Sequence, residues 1–246
     1  MEMELEKEVN YWACFKTTNR RQTWIVIFAN VMPAMFGLNV LANSSYFMQT
    51  IGMKAKTSLI LMIIGVVLGI LANATSSWFM SLFGRRPLTI TTLLVDALLW
   101  SGMGISGFFT GKIALWWAAV SMSVVTVICG LGCWPTGYAI MGETSSLRLR
   151  AKSQAIGGVA QQVSSAFMTY TSPYIFNPDA GNSGAKIGFY FTGLSVMAAA
   201  ITFLYVPETK GRTTLELDQM FHEKLPTRAF KSWQSPGLAR KIDEET

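Results

Sequence analysis

Phe203-Leu204-Tyr205-Val206-Pro207-Glu208-Thr209-Lys210-Gly211-Arg212-Thr213 changes chemistry in its middle. Up to Val206 the chain is apolar. Pro207 then removes a backbone donor and cannot continue a helix interior. Basic residues follow at once. A membrane helix therefore ends near Tyr205-Val206, and the segment opened by Pro207 begins at one face of a bilayer. Reading back from this exit, the chain divides into apolar blocks near 24–47, 58–82, 88–110, 114–141, 153–175 and 187–206. About 20 residues cross a hydrocarbon core as a helix, and in lipid every backbone group must be satisfied within the segment. The expected fold is an all-α membrane protein with six transmembrane helices.

Composition agrees with this. The chain has 246 residues, 51% of them hydrophobic and 14% charged, against roughly 25% charged in a soluble domain. The basic residues also sort by loop. With six spans, both termini and the second and fourth loops share a side. That side takes 16 of the 20 Lys and Arg residues; Lys54, Lys56, Lys112 and Lys186 take the other. The positive-inside rule places both termini in the cytoplasm. The net charge of +6 is thus a topology signal, and nucleic-acid binding is not expected. Residues 1–22 read as a polar cytoplasmic segment with Glu2, Glu4, Glu6 and Glu8 alternating, 23–206 as the six-helix bundle, and 207–246 as a cytoplasmic tail. In the tail, Thr214, Glu216, Asp218 and Phe221 suggest a short amphipathic helix ended by Pro226. The last 20 residues are expected to lack fixed structure.

Catalytic and metal chemistry find no support. Cys14, Cys129 and Cys133 form no ligand cluster, and His222 is alone in the tail. No cofactor, metal or enzyme activity is expected. Other constellations point to binding and movement. Gly84-Arg85-Arg86-Pro87 is a tight turn between two spans. Its arginines anchor the turn in water, and they are also placed to pair with a carboxylate at a neighbouring helix end. Glu143 and Glu208 are the candidates. Asp96 is the ionisable residue well inside an apolar block. One reading makes it a proton or cation coupling group; the other lets it point into a polar interior about 14 Å along the helix from Arg86. Gly130, Gly132, Pro135 and Gly137 should bend the fourth span, just before Tyr138. An aromatic face beside such a bend suits a sugar ring. Asn39, Asn43 and Tyr46 on the first span, with Gln161 and Gln162 on the fifth, supply the neutral polar groups that a polyhydroxylated ligand requires. Interhelical hydrogen bonding is the competing reading for each of them.

Three motifs together are more specific. Gly84-Arg85-Arg86, Glu143 with Arg148-Leu149-Arg150-Ala151-Lys152, and Pro207 to Thr213 resemble, in order and spacing, the C-terminal six-helix half of the sugar porters of the major facilitator superfamily. Tyr11 to Arg21 is similar to the end of the central cytoplasmic loop in fungal members. Ser44-Ser45-Tyr46-Phe47, Tyr138 in place of a usual Trp, and Ser172 to Pro178 with Gly184 to Phe189 resemble the fungal α-glucoside, or maltose-type, permeases. The chain departs from hexose carriers at Pro33 and Ala34, where paired glutamines are usual, and at Gly137. The resemblance implies that Tyr138, Asn39 and Gln161 hold a sugar. It also implies a cytoplasmic gate network of Arg85, Arg86, Glu143, Arg148, Arg150 and Glu208, with Lys210 and Arg212 beside them. Such carriers have twelve spans, sit in the plasma membrane and in many cases move protons with sugar. A second, N-terminal six-helix half is therefore the expected partner, and a truncated carrier the expected state of this chain. A non-transporting sugar sensor on the same fold is the alternative.

Overall fold

The computed structural model describes residues 11–16, 19–109, 111–146, 149–223, 225–231 and 233. The acidic alternation at Glu2 to Glu8 and the candidate gate residue Arg148 lie outside them. Among the described residues the regular secondary structure is all helical, with ten α-helices and three short 3-10 turns. The first apolar block is three helices: α1 (Arg20–Met35), α2 (Leu38–Ala42) and α3 (Ser44–Thr50). The second block is α4 (Ala55–Phe83) and the third α5 (Arg85–Ser106). The fourth is α6 (Lys112–Leu131) with α7 (Cys133–Thr144), the fifth α8 (Arg150–Phe176), and the sixth α9 (Ile187–Tyr205). The tail contributes α10 (Thr214–His222).

Among the described residues, four segments are long and apolar enough to cross a membrane: α4, α5, the α6–α7 pair and the segment ending in α9. The other two expected spans are set apart by their chemistry. Helix α8 runs 27 residues, about 40 Å at 1.5 Å per residue, but it carries Gln161, Gln162, Ser164, Ser165, Thr169 and Ser172. The first block is divided at Gly37 and Asn43.

The divisions have local causes. Pro33 cannot donate within α1, and the helix closes two residues later. Gly37 then adopts φ +90°. A Cβ there would stand 2.8 Å from Trp100 Cζ2, so glycine answers both a left-handed turn and a close approach. Trp100, fully buried, uses its indole N–H on the Phe36 carbonyl at 3.1 Å. The fourth block bends where the glycines predict. Gly132 separates α6 from α7, and a Cβ on it would fall 2.1 Å from Thr92 Cγ2.

Side-chain packing binds the bundle. Helix α5 lies against α9, α6 and α7, α4 packs on α6, and α1 packs on α8 and α7. Phe36, Phe47, Trp100, Met103 and Phe191 fill the centre. Small residues let backbones approach elsewhere: a Cβ on Gly130 would meet the Gly69 carbonyl at 2.8 Å. Such close contact is the main source of helix association where lipid removes the hydrophobic drive. Helix α4 turns Ile60, Ile63, Val67 and Ile70 outward, and all are exposed.

The tail corrects one expectation. Helix α10 forms as the sequence suggests, with a capping box in which Thr213 and Glu216 satisfy each other's backbone amides. The following residues do not all lack fixed structure. Phe230 is fully buried with Phe221, Leu217, Met220, Ile25, Ile140 and Val206. Arg21 donates to the Thr227 hydroxyl at 2.8 Å and lies over both the Phe221 and Phe230 rings. An aromatic residue 24 positions beyond the last span is thus drawn back under α1 and α7.

Candidate functional site

One end of the bundle gathers the charged motifs. Gly84, at φ +89°, turns α4 into α5 in a single residue. A Cβ on it would stand 2.8 Å from Glu208 Oε2. The Glu208 carboxylate fills that space and accepts the amides of Arg85 and Arg86 at 3.1 and 3.2 Å. It also accepts the amides of Thr209 and Lys210 at 3.0 and 2.9 Å. The carboxylate therefore acts as the cap of α5, placed where the helix dipole is positive. Arg85 Nη2 and Nε both reach Glu143 Oε1, at 2.8 and 3.1 Å. This is the ion pair among the described residues; it joins α5 to α7, and each side chain is 24% exposed.

The remaining cations behave differently from the charge clamp that the sequence suggests. Arg86 donates to the Phe203 carbonyl at 2.6 Å, near the C-terminus of α9. Lys210 donates to the Leu82 carbonyl at 2.9 Å, at the C-terminus of α4. Arg150 donates to the Gly142 carbonyl, at the end of α7. Arg212 reaches the Trp233 carbonyl at 2.6 Å. Three cations thus meet last-turn carbonyls that have no partner within their helix, and each offsets the negative end of a dipole.

The neutral candidates lie along α1–α3, α7 and α8. Tyr138 and Gln161 line one shallow cleft with Asn30, Pro33 and Trp134. Gln161, Gln162 and Asn39 line a second, of ≈ 70 Å³, again with Asn30 and Pro33. Asn39, Asn43 and Tyr46 line a third, of ≈ 230 Å³, with Thr169, Ser172 and Phe176. Gln161 and Asn39 each belong to two of these clefts, so the six residues border one continuous groove. Tyr138 is 47% exposed and presents its ring. Asn39 is already engaged: its Nδ2 donates to Thr169 Oγ1 at 2.7 Å, to Ser165 Oγ at 2.9 Å and to the Ser165 carbonyl at 3.0 Å. Tyr46 donates to Asn177 Oδ1 at 3.1 Å.

Several groove residues were not singled out in the sequence as candidate ligand groups. Asn30 is buried and borders two of the clefts. Ser172 is buried, and its hydroxyl has no partner among the described residues. The signal for the α8 members was present: Gln161, Ser165, Thr169 and Ser172 follow at helical spacing and share one face of α8.

Asp96 stands apart from the groove. It is fully buried where α5, α6 and α9 meet. Ser195 Oγ donates to its Oδ2 at 2.8 Å, and Cys129 Sγ lies 3.7 Å from Oδ1. No basic side chain pairs with it among the described residues. No group of three metal-ligating side chains occurs among them either.

Known proteins share both sequence and fold with this chain. The family model described as sugar (and other) transporter matches residues 1–221. Maltose permease MAL61 of Saccharomyces cerevisiae is 30% identical over 235 residues, which is 94% of this chain and 38% of the permease. The MFS transporter fmqE of Aspergillus fumigatus is 31% identical over 232 residues, 94% of this chain and 43% of the transporter. The chain therefore spans about two fifths of the length of these relatives. A double-tryptophan variant of XylE superimposes with a TM-score of 0.73 at 23% identity, covering 82% of this chain and 43% of XylE.

Proposed function

Because the chain belongs to the sugar porter family of the major facilitator superfamily, close to the fungal maltose-type permeases, we propose that its groove is one wall of a sugar-binding site. The observation that carries this reading is the convergence of Tyr138, Gln161, Gln162, Asn39, Asn43 and Tyr46 on one groove bordered by neutral polar groups. An exposed phenol ring stacks on a pyranose face, and the amides exchange donors and acceptors with hydroxyls. The favoured substrates are α-glucosides such as maltose, in line with the permease relatives.

The proposed architecture has six spans: α1–α3, α4, α5, α6–α7, α8 and α9. The distribution of Lys and Arg supports termini on the cytoplasmic face of the plasma membrane. A second six-helix half supplies the opposite wall, since alternating access requires one bundle to rock against another. The outward apolar face of α4 suits such a partner as well as lipid. The Arg85–Glu143 pair and the Glu208 cap act as cytoplasmic gate elements, with Arg86, Arg148, Arg150, Lys210 and Arg212. Proton symport belongs to the same reading: XylE is a proton:xylose symporter, and Asp96 is a buried carboxyl with no cationic partner among the described residues.

Radiolabelled maltose uptake tests this. The chain is joined to an N-terminal half from a maltose permease and compared with its Tyr138→Ala variant. Uptake should fall about fivefold, the effect of losing an aromatic contact of roughly 1 kcal/mol. Unchanged uptake would remove Tyr138 from the site. Robust uptake by the 246-residue chain alone would overturn the need for a second half.

A further inference from the structure

The charged end holds a feature that the groove does not use and that brings in Arg228 from the tail. Two guanidinium groups converge on one aromatic ring: Arg86 Cζ lies 5.3 Å from the Phe203 centroid, and Arg228 Cζ lies 5.5 Å from it. The charges are therefore no farther apart than those two distances combined. Arg228 is not swinging freely into this position. Thr227 next to it donates to the Leu204 carbonyl at 3.2 Å, and Phe230 two residues on is locked in the core. Lys210 adds a third cation on the Leu82 carbonyl.

Cations gathered on one ring attract an anion, and the described carboxylates at this end are engaged elsewhere. Glu143 pairs with Arg85. Glu208 is taken up by four backbone amides. Asp218 accepts from Gln22, Glu216 from Thr213, and Glu223 from Trp233 and Gln219. Arg86 keeps a donor in reserve as well: its Nε is buried and has no hydrogen-bond partner among the described residues.

The surroundings state what kind of anion fits. Phe203, Tyr205, Phe83 and Trp78 are 48%, 61%, 59% and 63% exposed at the ends of α9 and α4. An aromatic collar of this kind lies at the boundary between hydrocarbon and headgroups. Basic clusters just outside a span attract anionic lipids, and guanidinium groups take phosphate oxygens in paired hydrogen bonds. We propose that Arg86 and Arg228, gathered on Phe203 with Lys210 beside them, form a binding site for the phosphate of an anionic phospholipid headgroup. The site ties the tail segment around Arg228 to the membrane surface at the turn between α4 and α5. It rests on the proposed placement of this end at the inner leaflet.

Native mass spectrometry of the detergent-purified 246-residue chain tests the site. Phosphatidylserine, phosphatidylcholine and inorganic phosphate are offered separately and in competition. Phosphatidylserine should be retained over phosphatidylcholine, and Arg228→Gln should cut its retention about fivefold, the share of one interfacial arginine. Arg228 is exposed, so the variant keeps its fold; Lys112→Gln, at the opposite end of α5's partner helix, should leave the preference intact. Equal retention of both lipids, or an undiminished preference in Arg228→Gln, overturns the proposal. Binding of inorganic phosphate without any preference between the lipids overturns the lipid assignment. The readout involves no sugar, so its failure leaves the transport reading standing, and failure of maltose uptake leaves this site standing.

Discussion

The charged end and the groove treat polar groups in opposite ways. At the charged end, cations and carboxylates are tied to backbone: Glu208 to four amides, and Arg86, Lys210 and Arg150 to helix-terminal carbonyls. In the groove, the polar groups are amides, hydroxyls and a phenol. Some bond to one another, as Asn39 does with Thr169, and some, such as Ser172 Oγ, have no partner among the described residues. The contrast teaches where each region spends its hydrogen-bonding capacity. One region uses it to terminate helices and fix their ends. The other lines an open wall with neutral donors and acceptors, which is what a surface needs to receive a polyhydroxylated ligand.

Substitutions should separate the two regions by sign as well as size. Glu208→Ala removes the cap of α5 and one acceptor shared among four amides. It should cost roughly 2–3 kcal/mol and lower Tm by about 5–10 °C in detergent. A loss under about 0.5 kcal/mol would mean that water replaces the carboxylate, and the contrast would weaken. Arg85→Ala strands a half-buried Glu143 and should cost about 1.5–2 kcal/mol. Reversing the pair, Arg85→Glu with Glu143→Arg, should recover part of that loss in the same unfolding measurement; no recovery would show that Arg85 acts through packing alone.

In the groove the sign reverses. Ser172→Ala deletes a buried hydroxyl with no described partner and should be neutral or stabilising by up to about 1 kcal/mol. Destabilisation beyond about 1 kcal/mol would reveal a structural bond at that hydroxyl. The smallest effect belongs to the tail. The Thr213 amide and hydroxyl donate to Glu216 and hold its carboxyl below its ordinary value of 4.5. A depressed carboxylate stabilises the fold fully above that value and loses its contribution as pH falls through the lowered one. Hydrogen exchange of the first α10 amides should therefore speed up, relative to mid-α5 amides, only when pH drops below about 4.5. Protection constant down to pH 3 would remove Glu216 from the cap.

Much of this could be read along the chain. The turn at Gly84, the exit at Tyr205-Val206, the bend among Gly130 to Gly137 and the short tail helix through Thr214 and Phe221 were all legible. Each is marked by a proline, a glycine or a cluster of charges at a boundary. Arg85 against Glu143 was legible because few carboxylates sit at span ends. The divisions at Gly37 and Asn43 were not, since apolar composition records the length of a crossing and is blind to interruptions within it. Gly37 is fixed by Trp100 and Phe191, more than sixty residues away in sequence. The same limit hid the burial of Phe230, whose partners come from α1, α7 and α10. It also hid the carbonyl-capping role of the arginines. A sequence shows a charge, but it does not show which helix end the side chain will reach.

The two glycine divisions carry a mechanical consequence. Gly37 and Gly132 both interrupt helices that border the groove, while the caps at Gly84, Leu82, Gly142 and Phe203 all sit at helix termini. Bending stiffness is therefore lowest midway along the groove walls and highest at the tethered end. A flexure at either glycine would widen or narrow the groove like a jointed finger whose knuckle is braced.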